Sequence, residues 1–313
     1  MEVKLFEATG LDEVQEFILK NRDKLSLYEV NEMLKSVNIS FSVEHANRLI
    51  STLLCELGFS YVQQSQRYVT MDATGYDYPE YFREYPFYEE GRRLITQTFD
   101  LYKRMSKLRE GVKQKGRPKK ENYEYGIPIE DARNILPLAC KTNLVVSMSG
   151  SQLFDLLQLY KMKECSKTIS PLIEQLASYI SPLFIDYLLN FVPGTTEQTE
   201  LLYEYFKEKF NKIADKQKVV CFSSYKEPIV RIGIGAVTST NANPPSVVYE
   251  RWGEQLKKKA GQVASRVMGY GHFSISEQSR TTFGLMMSLI TYHQYIRHRL
   301  PLNHRESLYD VLK

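Results

Sequence analysis

The patterning of apolar residues changes character near residue 216, so the chain must build two kinds of structure. Before that point, helix-spaced apolar runs alternate with short polar breaks. After it come KQKVVCFSSY and EPIVRIGIGAVTST, β-branched runs broken by glycine and polar turns, which read as strands. The change places a boundary at 215/216, giving units of 1–215 and 216–313. A chain of 313 residues is long enough for about two domains. The predicted fold class is α+β and helix-dominated, with a small β-sheet in each half packed by long helices.

The elements follow from local signals. A short strand at 3–6 precedes helices at about 11–21 and 26–34. A longer helical pattern spans 42–57, with Leu49, Leu53 and Leu57 on one face, and stops at Gly58. SYVQQSQRYVTMD reads as extended chain or loop, and the aromatic run from Tyr76 to Tyr88 contains Tyr-Pro pairs that disfavour helix. A helix over 92–112 runs into the basic loop KQKGRPKKENYEYG. IEDARNILPLA then forms a helix that Pro137 ends or kinks. Further helices are expected at 151–160, 170–191, 197–215, 249–269 and 285–300, with GHFSISEQSRTTFG partly extended.

Composition removes several function classes. The net charge of +4 is too small to argue for nucleic acid by itself, although it suits a phosphorylated small molecule. Cys55, Cys140, Cys165 and Cys221 are scattered, with neither zinc-site spacing nor a tight disulfide framework. The five histidines form no metal-ligand motif, so no protein-held metal is expected. No run approaches the roughly 18 apolar residues of a membrane helix, and the first residues lack a signal-peptide pattern. The expected location is the cytoplasm.

Five constellations carry candidate chemistry. Near the end of the chain, Gln294, Arg297 and His298 stand at helical spacing on one face, and Arg299 follows where the helix unwinds before Pro301. Arginine forks bind two oxygens at once, so this end is either an anion site or a solvated cationic helix terminus. Ser65-Gln66-Arg67-Tyr68, preceded by Ser60, can hold a phosphate or simply form a polar strand edge. Arg133 sits in an otherwise apolar helix and needs either a bound anion or a salt bridge, for instance to Glu130. His272, close after Gly269 and Gly271, is either an accessible titratable group or part of a turn. Lys115 to Lys120 contains one Gly-Arg-Pro core like that of an AT-hook, a weak signal that also suits a solvated loop.

Taken together, these motifs resemble those of flavin-dependent thymidylate synthases. Gln294 and Arg297-His298-Arg299 are similar to the family's R-H-R helix end. Ser60, Ser65, Arg67 and Tyr68 resemble its S-x-x-x-x-S-x-R-Y stretch, and Ala132, Arg133, Leu136 and Pro137 its A-R-x-x-L-P helix. Gly271-His272, Ser274 and Glu277 fit its G-H-x-[ST]-x-x-E pattern. The order is unusual, because R-H-R and S-x-R-Y are contiguous in the family. Here Cys55-Glu56-Leu57 stands where R-H-R belongs, while the later copy keeps R-H-R and degrades afterwards. The resemblance therefore implies one family unit over 1–215, keeping S-x-R-Y and A-R-x-x-L-P, and a partial second unit over 216–313, keeping R-H-R.

The resemblance implies a thymidylate synthase-complementing-protein-like fold and an FAD-dependent methyltransferase acting as a homo-oligomer with shared sites. Arg297, His298, Arg299, His272 and Ser274 would contact FAD. Gln294, Arg297, Ser65, Gln66, Arg67 and Arg133 would hold dUMP. The implied reaction is reductive methylation of dUMP to dTMP, with methylenetetrahydrofolate giving the carbon and NADPH reducing the flavin. Arg297 would be catalytic, its charge favouring an ionised, nucleophilic pyrimidine. Tyr160 stands where the family has its uracil-ionising arginine, with Lys161 adjacent, and Ser149 and Ser151 stand where it has a flavin-binding Asn and Arg. Those departures leave a catalytically degenerate nucleotide- or flavin-binding or assembly homologue as the alternative. A DNA-associated protein using the 115–120 loop is a weaker one.

Overall fold

The computed structural model describes residues 1–71, 75–113, 117–162, 165–192, 201, 204–205, 207–209, 211, 219–224, 226–238 and 241–298. Two compact units emerge, one of Met1–Leu202 with Leu289–Lys313, the other of Tyr203–Ser288. This grouping departs from the expected division at 215/216, because the chain from Leu289 joins the first unit. Ile296 explains why: it is a buried member of that unit's main core.

The first unit is built on a four-stranded antiparallel sheet. Strand β1 (Glu2–Thr9) leads through helices α1 (Leu11–Lys20) and α2 (Leu27–Leu34) to β2 (Asn38–Asn47). Helix α3 (Arg48–Glu56) and strand β3 (Ser60–Gln63) follow, then α4 (Tyr88–Met105), the short α5 (Ile129–Ala132) and β4 (Lys141–Ser149). Helices α6 (Leu153–Lys161), α7 (Ser166–Ala177) and α8 (Pro182–Leu189) complete it, and the strand order is β1-β2-β4-β3. One apolar core lies between the sheet and its helices, and a second gathers Ile95, Phe99, Tyr102 and Tyr123 beneath α4.

Several sequence expectations for this unit fail, among them the single helix over 170–191, which is two, α7 and α8, broken before Pro182. The helix expected over 42–57 is a strand up to Asn47 and a helix only from Arg48. Asn47 is the cause: its side chain accepts from the Ile50 amide at 3.0 Å and caps α3. Upstream, Phe41 and Val43 face the core between paired β1 and β4, and the ladder bulges between Val43 and Ala46. Strand β4 was not foreseen at all, although KTNLVVSMS alternates buried and more open positions along its length. The helix over 92–112 starts earlier, at Tyr88, and ends at Met105.

The second unit contains β5 (Val219–Ser224), helices α9 (Pro228–Thr238), α10 (Pro245–Trp252) and α11 (Leu256–Gly269), and β6 (Thr281–Leu285), which pairs antiparallel with β5. EPIVRIGIGAVTST, expected as a strand, is helix α9. Its glycines are contact points rather than turn punctuation: a Cβ on Gly233 would collide with the backbone of Ala260. Glycine lets α9 and α11 approach this closely. Each unit thus has a small sheet with helices on it, so the fold is α+β and helix-dominated. The expected helix over 197–215 falls largely outside the described residues. The chain then enters α12 (Leu289–Tyr295), shorter than the 285–300 expected.

Candidate functional site

Residues of the first unit bring several arginines together, and none of them makes a salt bridge to a carboxylate among the described residues. Arg48, the first residue of α3, is 1% exposed; its backbone amide donates to the Leu138 and Cys140 carbonyls at 2.8 and 3.0 Å. Those bonds tie the start of α3 to the segment that follows Arg133. Arg133 is 8% exposed and donates from Nε to the Glu130 backbone carbonyl at 2.9 Å. Arg297, in the turn after α12, is half-buried and donates from Nη2 to Gln63 Oε1 at 2.6 Å. Arg67 is exposed in the turn after β3.

These groups feel one another. Burial is the largest cause lowering the pKa of Arg48, and the charges of Arg133 and Arg297 lower it further. Burial likewise depresses Arg133, followed by Arg67 and Arg297, while the charges of Glu130 and Asp131 act upward. Burial leads for Arg297 too, where Cys55 and Tyr61 act upward and Arg67 downward. Among the described residues, no carboxylate forms a salt bridge with any of the four. Arg48 Nε and Nη2, Arg297 Nε, Gln294 Nε2 and both amide atoms of Gln66 are buried with no hydrogen-bond partner. Buried cations and orphaned donors are costly unless an anion or acceptor occupies the space between them. The donor set suits a phosphate or another polyoxygen anion.

A polar network fixes the cluster's inner edge. His293, 1% exposed on α12, has Nδ1 2.8 Å from Thr52 Oγ1 on α3 and Nε2 3.1 Å from Gln63 Oε1 on β3. Gln63 Nε2 donates to Ser51 Oγ and Thr142 Oγ1, both at 3.2 Å. Burial, followed by Arg48, Arg297 and Arg133, pushes the His293 pKa down to about 3.

The expected site residues divide accordingly. Arg297, Gln294, Gln66, Arg67 and Arg133 carry the orphaned atoms or the mutual repulsion just described. Ser65, half-buried, accepts the Arg67 amide at 3.3 Å. His298 is exposed, and Arg299 lies outside the described residues. His272 and Ser274 belong to the second unit and are exposed, His272 standing just before a 3₁₀ turn over Phe273–Gln278. Tyr160 packs, partly buried, against the main apolar core, and Lys161 donates to the Leu189 and Val192 carbonyls at 2.9 and 2.6 Å beside the end of α8. The adjacent lysine is therefore engaged at α8. Ser149 bonds Ser151 at 2.8 Å, and Ser149 and Ser60 line one open cavity of about 300 Å³.

Two alternatives from the sequence are resolved here. Arg133 donates to the backbone carbonyl of Glu130 and makes no salt bridge to its carboxylate, which pairs through Oε1 with Arg117 (Nε 2.9 Å away) and acts on Arg133 by charge. The arginine of the AT-hook-like loop is thereby tied down, while Gly116 lies outside the described residues. Sequence reasoning missed Arg48, Thr52, Gln63 and His293. The signal for His293 was present, since it precedes Arg297 by one helical turn. Arg48 gave none, being one cation at the start of an apolar pattern.

Comparison with known proteins adds an independent line. The family model described as "Thymidylate synthase complementing protein" matches residues 12–183, more than half of the chain. A "Flavin-dependent thymidylate synthase" of Pyrococcus furiosus is 29% identical over 140 residues, 43% of this chain and 50% of that protein. One from Thermococcus onnurineus is 28% identical over 158 residues, 49% and 56% of the two chains. The chain thus spans about half the length of these curated relatives. A crystal structure of Thymidylate Synthase X from Helicobacter pylori with FAD and dUMP is similar at a TM-score of 0.42 and 15% identity, covering 60% of this chain and 99% of that one.

Proposed function

Since the chain belongs to the thymidylate synthase complementing protein family, we propose that it is a flavin-dependent thymidylate synthase or a divergent homologue that binds dUMP in the arginine cluster. The observation that carries this reading is the set of orphaned, buried donors on Arg48, Gln66, Gln294 and Arg297, in a cluster whose arginines make no salt bridge to a carboxylate among the described residues. A nucleotide phosphate supplies the charge and oxygens that set lacks. Arg67, at the exposed side, meets the anion first, while Arg133, Arg297 and Gln294 fix it. Gln66 has both an amide donor and a carbonyl acceptor free, the pairing a pyrimidine edge requires.

FAD, when bound, would supply the redox step, with methylenetetrahydrofolate as carbon donor and NADPH as reductant. The guanidinium-rich cluster also fits a diphosphate, and His272, Ser274, His298 and Arg299 are the further residues proposed to hold the flavin. The protein's own part is orientation and electrostatics: cations beside the pyrimidine favour its anionic form and so a nucleophilic C5. The reading includes the two-unit division at 215/216 as an origin for the separated motifs, and a homo-oligomeric state.

One observation favours the degenerate homologue as the second reading. Tyr160 packs on the apolar core and Lys161 is bound at the end of α8, so neither supplies the cation the family resemblance expects there. Reconstitution with FAD followed by tritium release from dUMP labelled at C5 separates the two. Flavin uptake with release supports the synthase, uptake without release supports the degenerate homologue, and failure of both flavin and dUMP to bind overturns the proposal.

A further inference from the structure

The hydrogen-bond directions around His293 can be solved from one fixed end. The Arg48 carbonyl can only accept, and it takes hydrogen bonds from Ser51 Oγ at 3.0 Å and Thr52 Oγ1 at 2.7 Å. Each hydroxyl has a single proton, so Thr52 Oγ1 can only accept from His293 Nδ1, and Ser51 Oγ can only accept from Gln63 Nε2. Gln63 therefore presents Oε1, an acceptor, toward His293 and Arg297.

His293 Nε2 and Gln63 Oε1 lie 3.1 Å apart, and Arg297 Nη2 lies 3.2 Å from the first and 2.6 Å from the second. A proton on Nε2 would reach Gln63 Oε1 but would also set a donor against a guanidinium donor 3.2 Å away. Without it, the two protons of Nη2 satisfy the imidazole and the amide together, and the short approach of two acceptors is explained. The charged groups felt at His293 are Arg48 from α3, Arg297 from its own element and Arg133 beyond, all cations. An imidazolium there would have one neutral acceptor, Gln63 Oε1, and no anion among the charges that act on it.

We propose that His293 is a positioning residue: a neutral imidazole, protonated on Nδ1, whose bare Nε2 joins Gln63 in holding one Nη of Arg297 and leaves that guanidinium's remaining donors free for an anion. In this arrangement Nη2 is saturated by the protein, while Nε remains unpartnered. The clamp aims the arginine without neutralising it, as a carboxylate partner would. Its use for a nucleotide rests on the function proposed above; the protonation pattern does not.

The test uses the full chain. Nitrogen-15 NMR of labelled imidazoles is expected to show one histidine with a proton on Nδ1 and no titration down to pH 5, absent from a His293→Gln variant. Arg297 guanidinium protons, assigned by loss in Arg297→Lys, should be protected in wild type and exchange rapidly in His293→Leu. Calorimetry with dUMP should show about tenfold weaker binding in His293→Leu and most of it restored in His293→Gln, which keeps an acceptor near the Nε2 position. An Nε2–H tautomer, titration near neutral pH, or equal affinity in wild type and His293→Leu would overturn the proposal. If wild type bound no dUMP, the nucleotide reading alone would fall, and the tautomer and arginine exchange would still decide the clamp.

Discussion

Helices α3 and α12 meet at Thr52 and His293, and their ends bring opposite chemistry to the same neighbourhood. At the end of α3 stand Cys55, Glu56 and Leu57, and the Cys55 thiol is buried, with its pKa pushed up to about 11 chiefly by that burial. At the end of α12 stand Arg297 and His298, and Arg297 lies close enough for its charge to act on that thiol. The family's R-H-R motif, absent from the first helix by the sequence resemblance, is present after the second. On the proposed function, the cation that one helix end lacks is delivered by the other. Because α12 groups with the first unit, the cation returns within one polypeptide.

Removing the delivered cation should have the largest effect. Arg297→Ala is expected to weaken dUMP binding about 100-fold or more, since truncating one member of a buried charged pair costs roughly 2–5 kcal/mol. Arg67→Ala should impair the same binding. Mixing the two variants should restore nothing if each chain builds its own site, whereas recovery on mixing would move the site between subunits. Calorimetry on the separate and mixed proteins reads both outcomes.

Next in size is an inverse effect on stability. Arg48 is a buried cation with two orphaned nitrogens, so Arg48→Met should stabilise the ligand-free protein by about 1–4 kcal/mol while weakening anion binding. Urea unfolding with and without phosphate measures this, and a destabilised, phosphate-insensitive variant would argue for a purely structural arginine. The acid side of the stability curve comes third. The folded His293 pKa of about 3 lies below the ordinary 6.5, so unfolding binds a proton at acid pH. Its contribution is intact above pH 6.5 and is lost toward pH 3, at about 1.4 kcal/mol per pH unit. His293→Gln should flatten that slope. The smallest effect belongs to Arg117→Ala: its guanidinium is half-exposed, and freeing the Glu130 carboxylate beside Arg133 should weaken dUMP binding only slightly in the same calorimetry.

Much of the candidate site was legible in the sequence because arginines in apolar surroundings advertise themselves. Arg133 and Arg297 carried that signal, while Gln66 and Gln294 came only with the motifs around Arg67 and Arg297; orphaned atoms lie on Arg297, Gln66 and Gln294. Arg48, Thr52 and Gln63 gave no such signal, since what distinguishes them is tertiary: a capped helix start at Asn47, a hydroxyl turned back to a carbonyl, and an amide oriented by two hydroxyls. The fold followed the same division. Helices α1 and α2 and strand β5 have local signals of their own. Strand β2 was hidden because its apolar residues run on into α3, and α9 because glycine serves helix contact as readily as turns.

The most direct measurement compares dUMP with deoxyuridine by calorimetry on the full chain. The arginine cluster, with no salt bridge to satisfy it, predicts binding of dUMP, loss of that binding in Arg297→Ala, and deoxyuridine at least about 100-fold weaker because it lacks the charge-assisted bonds. Equal affinity for the two, or dUMP binding unchanged in Arg297→Ala, would contradict the assignment of the cluster as a nucleotide phosphate site.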